Sequence, residues 1–273
     1  MSGLPLGTER LGSRQLVSRQ LDYWVTVYRR TWRGSVISSF LIPLLFLTAM
    51  GVGLGGFVDA QAPSGALGGL TYLAYIAPGL LATTAMQTAI GESTWPVMGA
   101  IKWHKTYFAQ LATPLRVVDV LNAHLLFVVF RIATTGAVFV AVIAVFGAVS
   151  SVTGGVAALL TAVLVGLAHT TPCFALSAGL ESENGFAVVY RLFVIPMSLF
   201  SGAFFPVSQL PSAITWLAYV GPLWHGVELS RMATTGHVLW WAALGHLVYL
   251  LLWIGGGWLL ARHFFARRLV EKG

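Results

Sequence analysis

Long apolar stretches separated by short polar ones dominate this chain. Runs of about twenty apolar residues, the length needed to cross a bilayer as a helix, fall at Val36–Gly55, Thr71–Ile90, Val120–Val149, Gly155–Leu180, Phe186–Phe205 and Leu239–Arg262. They predict six transmembrane helices. Leu210–Leu229 is a seventh apolar candidate, but Pro211, Gly221 and Pro222 interrupt it, and it carries His225 and Glu228. Strands are not expected, because the runs are too long for barrel strands and lack strict alternation. Ahead of the first run, residues 16–33 place Leu21, Trp24, Val25 and Tyr28 at helical spacing with Arg29 and Arg30 beyond them. That pattern predicts an amphipathic interface helix, its aromatic side toward lipid and its basic groups toward headgroups.

The most informative interruption is residues 91–117. It carries Glu92, Lys102, Lys105 and Arg116 with Trp95, Trp103, Tyr107 and Phe108 interleaved. A mere connection needs only a few polar residues, so the segment reads as a short amphipathic helix at the membrane surface.

Composition points to the membrane independently. Hydrophobic residues make up 57% and charged residues 9%, mean hydropathy is +0.79, and soluble domains carry about 25% charge. Charge placement then orients the chain. Arg10, Arg14, Arg19, Arg29, Arg30 and Arg33 precede the first run; Lys102, Lys105 and Arg116 follow the second; Arg267, Arg268 and Lys272 end the chain. The loops 56–70 and 150–154 hold no Lys or Arg. Positive residues stay cytoplasmic, so both termini are expected inside, and 206–237 is expected as an external re-entrant pair of short helices, buried against protein. The net charge of +7 is accounted for by topology and anionic headgroups. The dispersed basic residues argue against nucleic acid. No cleavable signal peptide is apparent, and Cys173 is the sole cysteine, so no internal disulfide or thiolate metal site is expected.

Catalytic motifs are lacking. None of the three lysines follows a glycine, which excludes a phosphate-binding G-x-x-x-x-G-K-[ST] loop. Any ATP and Mg would be bound by another chain. H-E-x-x-H and G-x-S-x-G are absent, and His169 and Cys173, four apart on one helix face, are too few for a metal site. Arg131 lies well inside the third span, so it should face the bundle, snorkel or pair, unless that span begins deeper in the cytoplasm. Glu92, beside Ser93 and Thr94, suits a helix N-terminus. Glu181 and Glu183 fall in the turn between the fourth and fifth spans. His225 and Glu228 sit three apart on one helix face.

The runs YIAPGLLATTAMQTAIGEST and KWHKTYFAQLATPLRVVDVLNAHLL resemble the permease subunits of ABC-2 type exporters. The likeness is greatest to the branch of nodulation lipo-oligosaccharide and daunorubicin-resistance permeases. It extends from about Trp24 to Arg268 and is strongest between Tyr75 and Leu125. The resemblance implies one all-α membrane domain over residues 1–273 that dimerises with a second permease copy and works with a separate ABC ATPase. It implies an amphiphilic cargo, a glycolipid or lipo-oligosaccharide, or a hydrophobic drug. Residues 91–117 would be a coupling helix, with Trp95, Trp103 and Tyr107 as apolar anchors and Lys102, His104 and Lys105 as polar contacts; binding to lipid alone is the alternative. Glu181 and Glu183 would be a minor ATPase contact, and His225 and Glu228 would belong to a helical pair capping the exit. A membrane-embedded enzyme would need clustered ionisable groups, and a channel would need a filter-like constriction; neither pattern is seen.

Overall fold

The computed structural model describes residues 67–271 and 44–61 continuously, together with positions 15, 18, 21, 24–26, 28, 29 and 41. All described secondary structure is helical. Helix α1 spans Leu44–Gln61, with a π-helical stretch over Leu47–Leu54. There follow α2 (Tyr72–Ser93), α3 (Trp95–Lys102), α4 (Thr106–Leu111), α5 (Val117–Val145) and α6 (Val152–Gly179). Then come α7 (Asn184–Phe200), α8 (Ser212–Val220), α9 (Pro222–Thr235) and α10 (Trp240–Ala266), the last continuing as a π-helical turn to Glu271.

Local chemistry sets several of these boundaries. Thr71 and Ser151 cap α2 and α6, their hydroxyls accepting from the N–H groups of Ala74 and Gly154. Arg116 and Asp119 close a capping box at the start of α5, with the carboxylate accepting from the Arg116 backbone N–H.

Helix α6 is the centre of the bundle and packs against α10, α2, α9 and α5. Close approach there depends on glycine. A Cβ on Gly257 would lie 2.7 Å from the Pro172 backbone nitrogen, and one on Gly79 would lie 2.6 Å from the Ala203 Cα. Burial separates the spanning helices: 72% of the apolar window of Tyr72–Lys102 is inside the fold against 11% for Trp240–Glu271. In a membrane, the outer face of α10 is therefore left to lipid or another chain.

Among the described residues, five helices are long and apolar enough to cross a membrane: Leu44–Gln61, Tyr72–Lys102, Val117–Val145, Val152–Gly179 and Trp240–Glu271. The run expected at Phe186–Phe205 departs from this. Its helix ends at Phe200, because Ser201 leaves the helical region and Gly202 takes a left-handed φ of 78°. The Leu210–Leu229 candidate is divided at Gly221 into α8 and α9, in keeping with its Gly-Pro step, and α9 runs on to Thr235. The start of the first run lies outside the described residues, as does most of 16–33. What is described of the latter corrects the lipid-facing expectation. Trp24 is buried, stacked 4.0 Å from His124 and 5.0 Å from Phe127.

Two ends of the bundle can be told apart. At one, α3, α4, the 180–184 turn and the end of α10 converge: Lys102 meets Glu183 and Tyr107 meets Phe265. At the other, the α5–α6 turn meets the end of α9 through the Ser150 N–H to Thr234 carbonyl bond of 2.8 Å.

Candidate functional site

The segment 91–117 is not one surface helix. Thr94 breaks the backbone, with ψ at −93°, and α3 starts beyond it at Trp95, with Pro96 in its first turn. Val97, Met98, Gly99, Ala100 and Ile101 of α3 are then all buried. Five consecutive apolar residues cannot present a polar face, so α3 packs inward on α2 and α6. The chain turns out immediately afterwards. The N–H groups of Trp103 and His104 both donate to the Gly99 carbonyl, and Lys105 adopts a left-handed φ of 50°. This tight turn leaves Lys102, Trp103, His104 and Lys105 exposed side by side.

Lys102 Nζ lies 3.0 Å from Glu183 Oε2. The turn between α6 and α7 thus joins the same outer face. The Glu183 carboxyl is held below its ordinary pKa, first by its own backbone N–H and then by Lys102. Glu181 lies in the same turn and is also exposed. Trp95 is half exposed, with its ring 5.1 Å from Phe186 and 5.7 Å from Tyr190 of α7. Trp103 is 50% exposed, a large apolar surface to leave in water.

Two expected members of this face point the other way. Tyr107 has no accessible surface; its hydroxyl shares a hydrogen bond with His124 Nδ1 of α5, and its ring packs on Phe265 of α10. It is a core residue and is not available as a docking anchor. Glu92 is not at a helix N-terminus either. It lies in the last turn of α2 and accepts from Arg131 Nε at 2.9 Å. This is the partner that Arg131 needs. The guanidinium also lies 5.0 Å over the Tyr28 ring. The start of α5 at Val117, rather than Val120, places Arg131 a further turn along its helix.

At the opposite end, His225 and Glu228 share α9 but serve separate contacts. His225 Nδ1 is 2.9 Å from His246 Nδ1 of α10, and its ring stacks 3.8 Å from Tyr249. Glu228 pairs with Arg231. Arg231 in turn donates to the Gly202 carbonyl at 2.8 Å and lies 4.0 Å over the Tyr75 ring, fastening the bend after α7 to α9 and α2. His124 and His246 escape sequence reasoning, because each finds its partner on another helix. Arg231 stands three residues from Glu228 on α9, but its contacts to Gly202 and Tyr75 run through a bend that no periodicity reveals.

His169 bonds the Val165 carbonyl at 2.7 Å and lies 3.4 Å from the Met197 sulfur. Among the described residues, no group of three or more His, Cys, Asp or Glu could hold a metal ion.

A helical bundle with five helices long and apolar enough to span, among the described residues, is that of a multi-pass membrane protein. The family model described as ABC-2 type transporter matches residues 16–234. The chain is 32% identical over 221 residues to Nodulation protein J of Rhizobium leguminosarum bv. trifolii, covering 78% of this chain and 82% of that protein. It is 31% identical to Nodulation protein J of Sinorhizobium fredii over 77% of this chain and 80% of that one. Nodulation protein J of Rhizobium leguminosarum bv. viciae is 29% identical over 255 residues, 91% of this chain and 95% of its own. The chain belongs to the ABC-2 type transporter family. It is a multi-pass membrane subunit of the bacterial inner membrane.

Proposed function

We propose that the chain is the permease half of an ATP-driven exporter and that a separate ABC ATPase docks on the turn 102–105. One observation carries the reading: the exposed Lys102–Lys105 turn is tied to Glu183 on one side and rooted in buried α3 on the other. A partner pressing on Trp103 would push through α3 against α2 and α6, which are among the most central helices of the bundle. Trp95, His104, Lys105 and Glu181 extend the docking face. A separate ATPase would supply the ATP and Mg chemistry, since this sequence has no phosphate-binding loop.

In this reading the chain crosses the membrane six times, α7 being the short crossing, with both termini cytoplasmic. Helices α8 and α9 form the external re-entrant pair, with His225 and Glu228 in the exit gate. Two copies assemble around the path, and the cargo is an amphiphile, a glycolipid or lipo-oligosaccharide. The basic residues at the α3–α4 end and at the end of α10 support the orientation. The test is twofold. In a Cys173→Ser background, Ser212→Cys should react with an impermeant thiol reagent added to intact cells, and Ser13→Cys should not; the reverse pattern overturns the topology. The isolated chain should hydrolyse no ATP, whereas the chain copurified with its ATPase should do so and respond to an amphiphile; turnover by the isolated chain overturns the division of labour.

A further inference from the structure

One side of helix α2 carries polar residues toward a cavity. Thr84, Gln87, Thr88 and Glu92 recur at helical spacing on it, and Arg131 and Thr135, four apart on α5, face them. These side chains line a cavity of about 540 Å³, within the range of sites that take one small ligand. Phe46 of α1, Phe139 of α5 and Phe204 of the bend after α7 line it as well. From Thr84 to Glu92 the stripe covers about 12 Å at a rise of ~1.5 Å per residue. Polar groups on spanning helices are costly where lipid would meet them and gather on substrate paths.

The charges narrow what can bind. Glu92 and Arg131 neutralise each other at 2.9 Å, with side chains only 23% and 14% exposed. An anionic headgroup would have to displace Glu92 from Arg131, and a cationic one would have to displace Arg131 from Glu92. Either change leaves a charge unpaired in a half-buried place. A neutral polyol does neither. It can donate to the carboxylate oxygen not engaged by Arg131 Nε, accept from the remaining guanidinium N–H groups, and exchange hydrogen bonds with Thr84, Thr88 and Gln87. The phenylalanine faces carry the negative side of the ring quadrupole and suit the C–H face of a sugar ring.

We propose that this cavity seats the neutral, polyhydroxylated headgroup of an amphiphile, with the Glu92–Arg131 pair as its polar floor. The proposal rests on the exporter reading and deepens it, naming the site and the headgroup class.

The test uses the full chain in phosphatidylcholine nanodiscs and three probes that share one diazirine-bearing alkyl tail. Their headgroups are glucoside, trimethylammonium and sulfate, and cross-links are mapped by peptide mass spectrometry. The glucoside probe should label the peptides around 80–96 and 131–139. It should exceed both charged probes by at least about fivefold, the factor that one net hydrogen bond carries, and excess unlabelled octyl glucoside should compete it away. The variant Gln87→Leu/Thr88→Val removes polar atoms without touching the ion pair. It should cut glucoside labelling several-fold while its melting temperature stays at the wild-type value. Equal labelling by all three probes would show partition by the tail alone and overturn the proposal. So would preference for a charged headgroup, or undiminished labelling of the variant. ATPase association is measured separately, so failure of the site is distinguishable from failure of the exporter reading.

Discussion

Glu92–Arg131 and Lys102–Glu183 are two ion pairs, each with one member in residues 91–117, at 2.9 and 3.0 Å. The first joins two spanning helices at the wall of a cavity, with side chains 23% and 14% exposed; the second lies on the outer face, its side chains 39% and 40% exposed. Similar geometry thus serves different ends. The inner pair keeps two charges neutral among apolar helices, where removing one partner is costly. The outer pair is screened by water and contributes little to stability, so what it contributes is placement: it holds the α6–α7 turn against the exposed one. Tyr107 and Trp103 repeat the contrast four residues apart. One is wholly buried on His124, and the other is half in solvent.

The contrast can be broken by substitution, beginning with the inner members. Tyr107→Ala should cost about 3–5 kcal/mol of stability, the range for emptying a buried aromatic site, read as a lower melting temperature in micelles. Tyr107→Phe should cost about 1–3 kcal/mol, because His124 loses its partner while the packing remains. Arg131→Ala should cost about 2–3 kcal/mol, below the fully buried range because water reaches part of the pair. Glu92→Gln with Arg131→Met should recover most of that loss. Failure of the double variant to recover would mean that the pair does more than neutralise charge.

The outer members should behave otherwise. Trp103→Ala should leave the melting temperature within the small range of ordinary surface substitutions and weaken ATPase capture by about 2 kcal/mol, as loss of an aromatic anchor does. The smallest effect is that of pH on the outer bridge. The Glu183 carboxyl lies below its ordinary 4.5 in the folded chain. Its contribution is therefore fully present above that value and is lost as the pH falls through the folded pKa. Acidification from neutrality through the folded pKa of Glu183, which lies below 4.5, should remove the bridge. A Glu183→Gln variant should lack that acid-side change.

Much of the fold is legible in the residues. The cores of α2, α5, α6 and α10 follow from uninterrupted apolar length, and the division of 210–229 follows from Gly221-Pro222. Helix α7 is shorter than its hydropathy suggests, because SGAFF after Phe200 is largely apolar and the helix stops only through the backbone turn at Ser201 and the left-handed Gly202. The site divides in the same way. Charged and aromatic residues mark 91–117 as special, but hydropathy does not say which of them face inward. The apolar run Val97–Ile101 is the one sign in the sequence that α3 turns in, and its charged flanks obscure it. Glu92 and Arg131 are 39 residues apart, and His225 and His246 are 21 apart. Such pairings depend on the relative rotation of packed helices, which a single sequence does not reveal.

The most direct test of the central claim is capture of the partner ATPase on two variants of the immobilised full-length chain. Trp103→Ala/Lys105→Glu alters only the exposed turn, and Tyr107→Phe alters only the buried side. The first variant should remain folded in the membrane and lose the ATPase, whereas the second should be less stable and retain it. Full retention by the first variant, or equal loss from both, would contradict that claim.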